Sequence, residues 1–197
     1  MNPMAEDGNG PAYLLVWRRL DMPGHDACGL WLTAKGWCLK GTAVLVLAGM
    51  PCWLSYEVSG EVPWLTRCGR VTGCLGTRTL DLRMVALADG RWQLNGIEQP
   101  VGAGCVDLDL NFTPATNLIP LRRLDLAVGE AADAPAAWLD IPDGGLMRLE
   151  QHYQRVGPDA YDYRAPGIGY AATLQVAETG FVTRYPGLWE MEALRGA

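Results

Sequence analysis

Apolar and polar residues alternate with a period of two along much of this chain. Leu54-Ser55-Tyr56-Glu57-Val58 and Leu80-Asp81-Leu82-Arg83-Met84-Val85 are the cleanest stretches. Such alternation sends one set of side chains to a core and the other to solvent, as in a half-buried strand. Strand-like texture also predicts strands over 13–17, 28–34, 64–74, 91–94, 136–141, 147–156, 161–165, 170–176 and 181–185, and a very apolar run predicts another over 37–48. Turn chemistry separates them at Asp21-Met22-Pro23-Gly24-His25-Asp26, Gly49-Met50-Pro51, Asp89-Gly90, Asn95-Gly96, Glu178-Thr179-Gly180 and Pro186-Gly187. No segment carries a clear amphipathic-helix pattern. Residues 105–126 are the least strand-like. Pro114 and Pro120 exclude a continuous helix or a central strand there, which predicts a loop or a helical turn.

The predicted fold is therefore all-β and mainly antiparallel, with few short helices. A single domain is expected over 12–190, between a flexible tail at 1–11 and a second tail at 191–197. An open sheet that curves far enough has a concave face, which side chains, helices or a ligand must cover. With little helix in view, a binding cleft is the expectation. Tyr56, Trp64, Leu80-Asp81-Leu82, Asp89-Gly90 and Trp92 are echoed by Tyr153, Tyr163, Leu174-Gln175-Val176, Thr179-Gly180 and Trp189. A duplicated run of strands would produce this echo, and so would chance.

Composition narrows the function classes. The 197 residues are 49% hydrophobic and 19% charged, as in a globular protein. The net charge of −6, without a basic stripe, argues against nucleic acid. Lys35 and Lys40 are the only lysines among the 16 basic side chains. Arginine suits bidentate contacts to carboxylate or phosphate, although a GC-rich coding sequence produces the same bias. The start of the chain lacks the basic and apolar regions of a secretory signal, so a cytoplasmic location is expected. The six cysteines are then expected to be reduced core residues. Without a CxxC pair or a Cys/His cluster, no metal is expected, and no cofactor motif is present. No apolar run approaches the roughly 20 residues of a membrane span.

The stretch Cys105-Val-Asp-Leu-Asp-Leu-Asn-Phe-Thr-Pro-Ala-Thr-Asn-Leu-Ile-Pro-Leu-Arg-Arg-Leu124 closely resembles the signature of the bacterial putative glycolipid-binding family. Trp17-Arg18-Arg19-Leu20-Asp21, Pro23-Gly24-His25, Trp64-Leu65-Thr66-Arg67, Gln151-His152-Tyr153, Tyr161-Asp162-Tyr163 and Gly180 to Trp189 are similar to it as well. The resemblance implies a strongly curved antiparallel sheet, a half-barrel or pseudo-barrel related in shape to periplasmic lipoprotein carriers. It also implies a lipid or glycolipid partner. Ala115, Arg164 and Ala165 depart from the family pattern, so ligand shape is expected to differ if they line the cavity.

Several residues are candidates for chemistry. Asp107 and Asp109 would share one face of a strand. Paired carboxylates serve acid–base work or cation binding, and equally serve ion pairs with Arg122 and Arg123. On a strand these two arginines would face opposite ways. One could grip an anionic head group, or both could join an internal Arg–Asp network. Thr113, Thr116 and Asn117 offer hydroxyl and amide groups to a sugar, or cap turns. His25 and His152, the only histidines, form no recognisable triad. Eight tryptophans and the cluster Tyr153, Tyr161, Tyr163, Tyr170 and Tyr185 suit either a cleft or a core.

The expected ligand-binding set is Asp107, Asp109, Thr113, Asn117, Arg122, Arg123, Trp17, Arg67, Tyr153, Tyr163 and Tyr185. The favoured function is a non-catalytic binder that holds an amphipathic lipid or glycolipid in the concave face. A hydrolase or lyase using Asp107 or Asp109 with Arg122 is the second reading. A protein-interaction domain with an exposed apolar patch is the third.

Overall fold

A computed structural model of the protein describes residues 10–101 and 104–196. Eight strands come first: β1 (Tyr13–Arg19), β2 (Gly24–Thr33), β3 (Gly36–Leu47), β4 (Met50–Glu61), β5 (Leu65–Leu75), β6 (Arg78–Ala86), β7 (Trp92–Leu94) and β8 (Ile97–Gln99). Next come β9 (Asp107–Leu110), a 3-10 turn (Ala115–Asn117) and helix α1 (Leu118–Leu124). The remaining strands are β10 (Ala131–Asp133), β11 (Ala136–Asp140), β12 (Gly145–Leu149), β13 (His152–Gly157), β14 (Ala160–Ala165), β15 (Tyr170–Val176), β16 (Val182–Tyr185) and β17 (Trp189–Gly196).

Fourteen of these strands form one sheet, ordered β10-β13-β14-β15-β16-β17-β1-β2-β3-β4-β5-β6-β7-β8. Every pairing in it is antiparallel, so the predicted all-β class holds. The sheet does not close into a barrel. A second sheet of three strands, β12-β11-β9, contains one parallel pair, β9 with β11.

The sheet wraps around the 105–124 segment. Leu108 packs over Gly69 on β5, and Phe112 meets the Tyr56 ring edge-on at 5.8 Å on β4. From the same segment, Asn117 bonds Tyr153 on β13, and Leu118 touches the turn at Gly180 before β16. Strands far apart in the sheet order are thus drawn to one central prop. Its buried residues merge with inward side chains of the strands, including Trp17, Trp37, Trp92, Phe181 and Leu54, into one continuous core. The concave face is therefore filled by protein, where the sequence led us to expect a cleft.

Three other expectations change. The tail expected from residue 191 is instead most of β17, which pairs with β1 from Arg19↔Trp189 to Tyr13↔Gly196. The single strand expected over 147–156 divides at Glu150 and Gln151, so that β12 joins the small sheet and β13 the large one. Pro120 does not prevent α1, because it is the third helical residue, where backbone N–H groups lack intrahelical acceptors. Of the predicted N-terminal tail, residues 1–9 lie outside the described residues. Ala12 already bonds the Leu30 carbonyl at 2.7 Å.

Candidate functional site

Most of the polar signature side chains find partners inside the protein. Asp107 is 1% exposed, and Arg123 grips it with two bonds, Nε to Oδ1 at 2.9 Å and Nη2 to Oδ2 at 2.6 Å. Burial raises the Asp107 pKa, and the guanidinium opposes the shift. Asp109 accepts a 2.6 Å bond from Gln151 Nε2. The residue is only half-buried, yet its carboxyl is enclosed enough for burial to push it up to about 6, helped by the charge of Asp107. Gln151 also reaches the Tyr163 hydroxyl at 3.1 Å, and Asn117 donates to the Tyr153 hydroxyl at 3.0 Å. Tyr163 packs against Tyr153 and Tyr185, with ring centroids 4.9 and 5.8 Å away.

A second buried cluster ties the prop to β2. Asp26, in an inward register between apolar neighbours, is fully buried. Its Oδ2 accepts from the Tyr56 hydroxyl at 2.8 Å and from Thr113 Oγ1, while Oδ1 has no partner. Burial pushes Asp26 up to about 6 against these two hydroxyl donors. Thr113 Oγ1 also accepts the Ala115 N–H at 3.0 Å, a local turn cap. This cluster escaped the sequence reading, which had placed Asp26 in a turn.

The other expected site residues disperse. Trp17 is buried and donates Nε1–H to the Val182 carbonyl at 2.7 Å. Arg67 is exposed and pairs with Glu61 at 2.9 Å. Arg122 lies on a helix, not a strand, with its guanidinium 5.7 Å from the centre of the Trp64 ring. His25 faces Glu192, and His152 faces Asp133, both at the surface.

The outward face of the large sheet is different. Strand register places Leu14, Gly29, Lys40, Glu57 and Arg70 side by side in one row. The next row is Val16, Ala27, Thr42, Ser55 and Thr72, and the one after is Arg18, His25, Val44, Trp53 and Cys74. Small residues floor the middle of this area, leaving an open groove of about 640 Å³. Trp31 folds over one end. Its ring lies across Gly29, where a Cβ would sit 2.7 Å from two ring carbons. Lys40 Nζ stands 5.5 Å from the Trp31 ring centre and 3.7 Å from Glu57. Thr42 and Ser55 hydroxyls meet at 3.1 Å, and Arg70 is held by Asp81 through bonds of 3.0 and 2.9 Å.

An aromatic plate beside a row of hydroxyls and fixed charges can stack a ring-shaped polar ligand and bond its hydroxyl edge. One row further on, Val44 and Trp53 are cross-strand neighbours, 60% and 49% exposed. Sequence reading missed this assembly. Its members are the ordinary solvent-side halves of alternating strands, and only the register gathers them. Gly29 was the available signal, since a strand interior rarely holds Gly without a close approach.

The family described as "Putative glycolipid-binding" matches residues 14–191. A crystal structure of a DUF1089 family protein from Pseudomonas aeruginosa is similar, with a TM-score of 0.71 and 30% identity. The alignment covers 84% of this chain and 91% of that one. No curated protein matches the chain. The family match runs from β1 into β17 and takes in the Asp107–Arg123 segment around which the sheet is wrapped, so this chain belongs to the putative glycolipid-binding family.

Proposed function

We propose that the protein binds an amphipathic glycolipid, without catalysis, on the outward face of its large sheet. The sugar is taken to rest against Trp31, with its hydroxyls toward Thr42, Ser55 and the Lys40–Glu57–Arg70 row. The acyl portion would run toward Val44 and Trp53. Same-face rows are spaced by two residues, so these two ends are separated by about 13 Å. That span suits a sugar and the first carbons of a chain.

The observation that carries this reading is the Trp31 ring laid over Gly29 at the end of a groove floored by small residues. The family description agrees with the ligand class. The filled concave face argues against an interior seat for the lipid. The bidentate Arg123 contact on Asp107 and the Gln151 bond on Asp109 favour a framework role over a reacting one.

Co-sedimentation with vesicles tests the reading. Phosphatidylcholine vesicles carrying a neutral monogalactosyl lipid should retain the protein, and plain phosphatidylcholine vesicles should not. Trp31→Ala should weaken retention by about tenfold, the loss expected for one aromatic contact. Equal retention by both vesicles, or full retention of Trp31→Ala, would exclude this site.

A further inference from the structure

We infer a separate oxyanion site at the rim of the sheet, centred on Arg122 and built with Trp37, Trp64, Thr66 and Thr179. Its ligand class is a phosphate or carboxylate group, free or carried by a lipid.

Arg122 sits in the last turn of α1. Its guanidinium lies over Trp64, in the turn between β4 and β5, and its Nε packs against Gly180, in the turn before β16. The site therefore bridges two turns belonging to opposite wings of the sheet. No carboxylate among the described residues pairs with Arg122, whereas its neighbour Arg123 is fully engaged by Asp107. Arg122 Nε is buried and has no hydrogen-bond partner, while the side chain as a whole keeps partial access to solvent.

The neighbours share this deficit. Trp37 stacks on Trp64 at 5.2 Å, is buried, and leaves its Nε1–H without an acceptor. Trp37 lies across Gly60, the register partner of Thr66, whose buried hydroxyl is also unpartnered. Thr179, next to Gly180, has a second buried hydroxyl without a partner. Native structures leave few such atoms, and each marks a cost unless something meets it.

The chemistry of the cluster selects the ligand. Arg Nε and Trp Nε1 only donate, and both threonines can donate. A guanidinium held over an indole by a cation–π contact still offers N–H donors to a planar or tetrahedral oxyanion. A ligand with several acceptor oxygens and a negative charge is the class that such a set of unmet donors selects, with Arg122 and the adjacent Thr179 as its nearest contacts. This site stands on observations independent of the Trp31 groove.

The full chain should be titrated with inorganic phosphate by isothermal calorimetry. In parallel, it should be sedimented with phosphatidylcholine vesicles with and without phosphatidylglycerol. Saturable phosphate binding is expected, weakened about tenfold or more in Arg122→Gln and clearly in Thr179→Val, with Arg184→Gln unchanged. Arg122→Lys keeps the charge but not the fork, so it should recover only part of the affinity. It also keeps the test valid should Arg122→Gln fold poorly. Phosphate binding without vesicle binding assigns the site to a soluble phosphate. Arg122-dependent binding to the anionic vesicles assigns it to a lipid head group. Absence of both, or binding indifferent to Arg122 and Thr179, overturns the inference.

Discussion

At the residue scale, Asp26 sets the sharpest expectation. Its carboxyl titrates near 6 in the fold and near the ordinary 3.8 when unfolded. Between those values the native state holds more protons than the unfolded state. Stability from this group is therefore complete below about pH 4 and falls as pH rises through 6. The full difference is on the order of 3 kcal/mol. Asp26→Asn retains an acceptor for Tyr56 and Thr113 without the buried charge. It should be more stable than the parent at pH 7 and close to it at pH 4, as read by urea denaturation at the two pH values. A gap that fails to grow with pH would remove Asp26 as the titrating group. Gly41, in the same inward row as Tyr56, leaves room for that cluster. A Cβ there would stand 2.4 Å from the Tyr56 hydroxyl, so Gly41→Ala should displace that ring and destabilise the protein at every pH.

At the scale of elements, the 105–124 segment is the prop on which both wings lean. Phe112→Ala should cost about 3–5 kcal/mol in chemical denaturation, because the wall around it belongs to several strands that cannot collapse together into the void. The alternating stretches 54–58 and 80–85 were legible as strands because each has one buried and one solvated face, and 37–48 was legible by its apolar run. The division at Glu150 and Gln151 was not legible, since alternation continues across it and only the choice of partner changes. β17 was missed for a related reason. Trp189 to Gly196 has a weak pattern of its own, and pairing with β1 fixes it in place. The candidate site divides in the same way. The residue types Asp, Arg, Thr and Asn in the signature announced a polar network. Which carboxylate would take Arg123, and that Arg122 would be left over, depends on helical geometry that two prolines had seemed to forbid.

At the scale of the whole molecule, the pairing of β17 with β1 is what joins the two runs of strands within the large sheet. Removing residues 189–197 should therefore abolish cooperative thermal unfolding rather than trim a loose end, measurable by far-ultraviolet circular dichroism. Survival of a sharp transition would mean that the wings stand independently. No helix among the described residues is long and apolar enough to cross a membrane. The two proposed sites lie on the outward surface and at the rim of the sheet.

The open sheet ends at β8 and β10, each only three residues long. A broad hydrogen-bonded surface with unsealed margins would ordinarily invite another chain to add a strand. Margins this brief offer an incoming backbone almost no ladder to follow. Concentrated solutions should consequently resist edge-to-edge fibre growth, leaving the broad faces as the means by which this molecule meets others.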